Sequence, residues 1–209
     1  MISRIIRFLQ SKGLWATPQN IGRRYSTNRF VMYNSIEKFI QSHKLGKKIL
    51  IISEENEHSI RNMLTPNSKT TNTNYPEVDI MDLSSFRQNS FDVVITDQVL
   101  EHVPNPFEAC KQIHRVLKRG GITINTSCSF NPIHDQPDFF RFTKNGFAQI
   151  HKIFDKVYLL ESWGNKWVIG RFALLGYKSF DIKKWPWETI LATHNEILWP
   201  WSIWCVAQK

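Results

Sequence analysis

The chain has 209 residues, 42% apolar and 22% charged, which is enough for one domain with a proper core and too apolar for a disordered chain. No apolar run approaches the length of a membrane-spanning helix, and Cys110, Cys128 and Cys205, odd in number and without a C-x-x-C pair, argue against a disulfide framework or a thiolate zinc site. The net charge of +9 sits in residues 1–48, where ten Lys/Arg face the single acid Glu37, so the body of the chain is neutral and lacks the broad positive footprint a nucleic-acid binder needs.

Residues 1–44 read as a basic helical arm. Ile2, Ile5, Ile6 and Leu9 can share one helical face among Arg4, Arg7 and Lys12. Such a segment packs on the domain, lies on an anionic membrane surface, or acts as a mitochondrial presequence; the cysteines otherwise fit the cytoplasm. A break falls at Thr17-Pro18, and a second helix is expected around Asn34–His43. Residues 47–52 are a buried strand, 58–64 a short helix ended by Thr65-Pro66, and the polar NSKTTNTN a loop. "YPEVDIMDL" suggests a short strand at Val78–Ile80, and "FDVVITD" is the clearest strand. In "NPFEACKQIHRVLKRGG", Asn105 can cap a helix with Pro106 at its first position and Glu108 at capping-box spacing; Phe107, Cys110, Ile113 and Leu117 would face one side and Gly120 would stop it. "GITINTSC" is a further strand, and Thr143 caps a helix through Ile153. The alternation predicts an α/β domain over 45–209 with a mostly parallel sheet. From residue 156 the chain is aromatic: seven of eight tryptophans lie at or after Trp163, as the core of closing strands or as a substrate lid, and "ILWPWSIWCVAQK" can supply a final strand.

The stretch FDVVITDQVLEHVPNPFEACKQIHRVLKRGGITIN, 91–125, resembles the second half of a class I S-adenosylmethionine-dependent methyltransferase, in which a strand F-D-x-V is followed by a helix and R-V-L-K-P-G-G before the next strand. Arg115 to Gly121 fit, with Arg119 where proline is usual. "VDIMDL" and "SFRQNSFD" resemble the family's aspartate-bearing turn, and the likeness runs over roughly residues 45–155. It implies a Rossmann-like fold and S-adenosylmethionine as cofactor. By this likeness Asp82 meets the adenine amino group, Leu83 lies beside the ring, and Asp97 and Gln98 line the methionine end; a turn role for Asp82 and a capping role for Asp97 are the alternatives. The ribose-binding acid would be Glu77, Asp79 or missing. Against the family's V-L-[DE]-I-G-x-G-x-G, the glycines fall on Ser53, Glu55 and Glu57, and the acid on Ile51. The first motif is therefore degenerate, with Ser53 kept as a cofactor-side residue and two glutamates where backbone should approach the ligand.

"NPIHDQPDFFRFTKNGF", 131–147, resembles a bacterial methyltransferase subgroup with H-x-x-P-x-D-[FY]-x-R-[FY]-T, associated with glycans and other small metabolites. His134 is the candidate base, Asp138 its orienting partner or a hydroxyl acceptor, and Arg141 a holder of an anionic substrate group; alternatively Asp138 and Arg141 pair to stiffen the loop. His102 would line the cofactor mouth, whereas His114 reads as a surface or core histidine. His134 with Asp138 or Asp135 gives two donors, which do not make a site, so no metal is assigned. Two functions follow: methyl transfer to a small-molecule or glycan acceptor, or an inactive methyltransferase fold that serves as a binding or partner subunit.

Overall fold

The computed structural model describes residues 27–53, 60–134, 136–175 and 186–209. The start of the basic arm and the glutamates Glu54, Glu55 and Glu57 lie outside the described residues, as does Asp135.

Six strands form one sheet: β1 (Lys48–Ile52), β2 (Lys69–Thr73), β3 (Phe91–Asp97), β4 (Leu117–Cys128), β5 (Lys156–Trp163) and β6 (Ser202–Gln208), in the order β2-β1-β3-β4-β6-β5. β2, β1, β3 and β4 run parallel, and β6 inserts antiparallel between β4 and β5. This is the expected mostly parallel α/β sheet.

Helices cover both faces, which explains the continuous apolar runs of β1 and β3. Leu50, Ile52 and Val94 pack with Cys110 and Ile113 of α2 (Pro106–Val116) and with Phe147 of α3 (Lys144–Ile150). Ile49, Ile51, Val93 and Ile95 point the other way, toward Met32, Tyr33 and Ile36 of α1 (Phe30–Ser42), Val168 of α4 (Lys166–Leu175) and Trp204 of β6. The arm beyond residue 26 is thus packed against the sheet, and its helix starts four residues before the expected Asn34. A last helix, α5, spans Pro186–Thr193.

Four local expectations are corrected. The polar stretch 67–74 is not all loop: Lys69–Thr73 pairs in register with β1 as an edge strand. An edge strand with half-buried sides needs no apolar run, and its threonines suit a pleated backbone. Val78–Ile80 is a turn and not a strand, since Val78 N–H donates to Asn74 O and Asp82 N–H to Asp79 O, at 3.0 and 2.9 Å; Ile80 still reaches the core. In α2 the buried face is Ala109, Cys110, Ile113 and Val116, while Phe107 is exposed. That helix ends at Val116 because Leu117 already pairs with Phe91, so Gly120 (φ 74°) turns within the strand segment and does not stop the helix.

The capping expectation holds. The Asn105 side chain accepts from Glu108 N at 3.2 Å, and the Thr143 hydroxyl accepts from Gly146 N at 3.1 Å. Asn105→Ala should lower stability by about 1 kcal/mol in urea unfolding, with the slope of the transition unchanged.

Candidate functional site

β1 is flanked by β2 on one side and β3 on the other, so the chain reverses direction across the sheet at the carboxyl ends of β1 and β3. Open α/β sheets bind ligands at such a switch point. A cavity of about 220 Å³ lies there. Its floor is Ile52 and Ser53 at the end of β1; one wall is the turn Val78–Met81, and the other is Val99, His102 and Val103 after β3. Pro137 and Phe139, from the loop that follows β4, close its mouth. The walls are mainly apolar, with Ser53, Asn74, Asp79 and His102 as polar groups.

Ser53 lines the cavity, its hydroxyl 3.4 Å from Asp97 O. His102 also lines the cavity. Asp82 and Leu83 do not reach the cavity. Asp82 is exposed and accepts from Ser84 N at 3.0 Å, a bond that, with the Ser84 hydroxyl, holds its carboxyl below its usual value. Leu83 is fully buried in the core. The acid on the cavity wall is Asp79, three residues earlier, whose carboxylate accepts from Met81 N at 2.8 Å.

Asp97 and Gln98 end β3 beside the cavity but face another network. The Tyr33 hydroxyl donates to Asp97 Oδ2 at 3.0 Å, and the Thr126 hydroxyl donates to Asp97 Oδ1 at 2.5 Å. Burial, then the Asp97 charge, pushes the Tyr33 hydroxyl far up, so it stays a donor. Gln98 sits in the left-handed region (φ 57°) and donates from its amide to Thr126 Oγ1 at 3.0 Å. These contacts tie α1 to the sheet under the site.

The loop 131–143 brings His134, Asp138 and Arg141 together. Asp138 Oδ2 accepts from His134 N at 3.0 Å and lies 3.4 Å from His134 Nδ1. Arg141 grips both carboxylate oxygens of Asp138 at 2.6 Å and donates to the carbonyls of Asn131, Pro132 and Phe140. Those contacts use its five donors, so the expected hold on an anionic substrate is replaced by a clamp that shapes the loop. Asp138 likewise orients His134, and its side chain, 2% exposed, is enclosed. Its carboxyl is held well below the usual range, first by its bonds to Arg141.

Sequence reasoning missed Glu101. It follows Leu100 in a short 3-10 turn, Leu100–His102, and is fully buried. Its carbonyl accepts from Phe139 N and Phe140 N at 2.8 and 3.0 Å, pinning the loop over the cavity. Its carboxylate Oε2 accepts from the Ser127 hydroxyl at 2.8 Å, while Oε1 has no partner. Burial raises its pKa, against the Ser127 bond and the charges of His102 and Arg29. The sequence signal was slight: one acid between apolar Leu100 and Val103 looks like a surface residue.

Residues 51–125 match a family model described as a methyltransferase domain. The chain matches the methyltransferase family over this segment and has the class I methyltransferase fold. Its first motif is degenerate, with Ser53, Glu55 and Glu57 at the glycine positions. Demethylmenaquinone methyltransferase of Lysinibacillus sphaericus (strain C3-41) is 31% identical over 108 residues, 49% of this chain and 46% of that protein. The chain thus spans about half the length of the curated relative it matches. Among solved structures, the [4+2]-cyclase SpnF superposes with a TM-score of 0.54 at 16% identity, over 86% of this chain and 80% of that one. Haemonchus contortus phosphoethanolamine N-methyltransferase 2, solved with phosphomonomethylethanolamine and S-adenosylhomocysteine, gives 0.52 at 16% identity, over 86% and 53%. These structures share the fold of the methyltransferase domain; that one is a cyclase shows that fold alone does not name the reaction. No helix among the described residues is long and apolar enough to cross a membrane.

Proposed function

We propose that the methyltransferase domain binds S-adenosylmethionine in the strand-end cavity and directs its methyl group to a small-molecule acceptor, a glycan among the candidates. The observation that carries this reading is the cavity itself, at the switch point of the sheet and closed by the loop that bears His134. Its residues fit a nucleoside-bearing cofactor. Ile52, Val78, Ile80 and Met81 offer apolar surface to a flat ring, and Asp79 and Asn74 offer polar edges. The cofactor would supply a methyl group activated by a sulfonium. Pro137 and Phe139 exclude water from the mouth, and the imidazoles of His102 and His134, with ring centroids 5.0 Å apart, stand where an acceptor hydroxyl can lose its proton. The small-molecule class is supported by the quinone named for the Lysinibacillus relative.

The sequence of the loop after β1 favours a second reading. Glu55 and Glu57, at two glycine positions of the first motif, would repel the cofactor's carboxylate, as expected of a fold kept as a partner subunit. Calorimetric titration of the full chain with S-adenosylmethionine and S-adenosylhomocysteine separates the two. Binding on the order of micromolar, weakened at least about tenfold by the cavity-filling Asn74→Trp, is expected for the methyl-transfer reading. Absence of binding, with recovery in Glu55→Gly/Glu57→Gly, would establish the partner-subunit reading instead.

A further inference from the structure

We propose that Glu101, His102 and His134 form a binding site for one divalent transition cation at the mouth of the cavity. A carboxylate oxygen of Glu101 and a ring nitrogen from each histidine lie within 4.8 Å of one another. Ligands about 2.0–2.2 Å from a tetrahedral zinc-like ion stand roughly 3.3–3.6 Å apart, so ion entry needs a contraction of about 1 Å, within the range of side-chain torsions.

The hydrogen bonds around Glu101 and His102 point the same way, and Asp138 supports His134 from behind. His102 Nδ1 lies 2.8 Å from Pro137 O, an acceptor, so the ring carries its proton on Nδ1 and leaves the Nε2 lone pair free. His134 Nδ1 faces the acceptors Pro132 O at 3.1 Å and Asp138 Oδ2 at 3.4 Å, and also the donors Asn131 Nδ2 at 3.1 Å and Arg141 Nη2 at 3.5 Å, so its proton sits on Nδ1 once Asn131 turns aside. Glu101 engages Ser127 through Oε2, and Oε1 is buried with no donor. Each prospective ligand is therefore held from behind by an outer partner, the arrangement that orients first ligands in metal centres. A buried carboxylate oxygen without a donor is costly, and a cation removes that deficit.

Two positive side chains act on the cluster: Arg141, already paired with Asp138, and Arg29, whose charge reaches Glu101 from beside Gln98. The Asn131 amide nitrogen lies 3.1 and 3.2 Å from the two His134 ring nitrogens and must turn aside when the ion enters.

Two imidazoles and one carboxylate select an ion of the zinc, cobalt or iron(II) kind over magnesium or calcium, which prefer all-oxygen shells. Three protein ligands leave a position open, and His102 places it beside the cavity. The role of the site rests on the methyl-transfer reading, but its existence does not. In that role the ion holds the acceptor oxygen and lowers its pKa. The proton leaves to solvent, the electron pair stays on oxygen, and the histidines act as ligands rather than as bases.

The test uses the tag-free full chain, stripped by chelator, at neutral pH and without S-adenosylmethionine. Cobalt(II) is followed by its visible absorption and zinc(II) by calorimetry. One ion per chain is expected, with a dissociation constant on the order of micromolar or tighter. His134→Ala and Glu101→Gln should each weaken it at least about tenfold, and His114→Ala, outside the cluster, should leave it unchanged. Far-ultraviolet dichroism checks folding. If Glu101→Gln does not fold, His134→Ala, on a partly exposed loop, decides. No stoichiometric binding, or binding indifferent to His134→Ala, overturns the proposal. Cofactor binding without cation binding overturns this inference alone; cation binding without cofactor binding overturns the methyl-transfer reading alone.

Discussion

Arg141→Ala is expected to destabilise the protein by about 3–5 kcal/mol, because it leaves the Asp138 carboxylate buried without a counter-charge. The Asp138 side chain is 2% exposed, against 25% for Arg141. The two members of the pair are therefore unequal: removing the arginine strands an enclosed anion, whereas removing the aspartate leaves a cation that can still reach water. The arginine also satisfies the carbonyls of Asn131, Pro132 and Phe140. Asp138→Ala should accordingly cost less, and the double variant should be more stable than Arg141→Ala alone. A double-mutant cycle in urea measures this. Additive losses would mean that the pair is exposed and weakly coupled. Because Asp138 supports His134 through both its backbone and its ring, the cycle should also lower cation affinity in the two single variants.

The clamp shows what spacing alone can convey. An aspartate and an arginine three residues apart beside a histidine are legible as a unit, but both roles, substrate contact and scaffold, have the same sequence. Only the three carbonyls that Arg141 also bonds separate them, and these are brought near by the fold of the loop. Asp79 and Asp82 repeat the lesson. Both occur in "VDIMDL", both accept from a backbone N–H two residues on, and only the path of the turn places one on the cavity and the other in solvent. Glu101 was less legible still. Its burial follows from contacts with Ser127 in β4 and with the backbone of the 131–143 loop, both distant in sequence.

The sheet was read best where both faces are covered. β1 and β3 carry short apolar runs because helices lie on each side, whereas the second half of β4 is buried but mostly polar. β2 escaped notice because an edge strand can be polar. β6 was legible as a strand, but its insertion between β4 and β5 is a non-local pairing that no local pattern encodes. The caps of α2 and α3 were visible because an N-cap is a local interaction.

His151 should make the protein acid-sensitive between about pH 6.5 and pH 4. It is 1% exposed and packs beside Phe147 and Phe154. Its Nδ1–H donates to Phe147 O at 2.7 Å, and its Nε2 lies 2.8 Å from the Asn125 amide nitrogen, which donates to it. Asn125 is oriented by the Thr96 hydroxyl, which donates to its Oδ1 at 2.8 Å. Protonation at Nε2 sets donor against donor; a turned Asn125 amide would mend that bond but leave a positive charge among aromatic rings. Burial accordingly lowers the His151 pKa to about 4, opposed only by the Phe147 carbonyl. The unfolded chain takes up its proton near 6.5, so between the two values the unfolded state binds more protons and stability falls as pH falls. Full stability is present above about 6.5, and roughly 3 kcal/mol is lost by about pH 4. The Asp138–Arg141 clamp does not share this loss, since its carboxyl stays ionised well below that window. Urea unfolding of the wild type and His151→Gln across the window isolates the effect. Glutamine can still accept from Asn125 but does not titrate, so the stability difference between the two proteins should shrink by about 3 kcal/mol on acidification. A difference that stays constant with pH would show that His151 is not held neutral in the folded protein, and that the packing of α3 against β4 tolerates its charge.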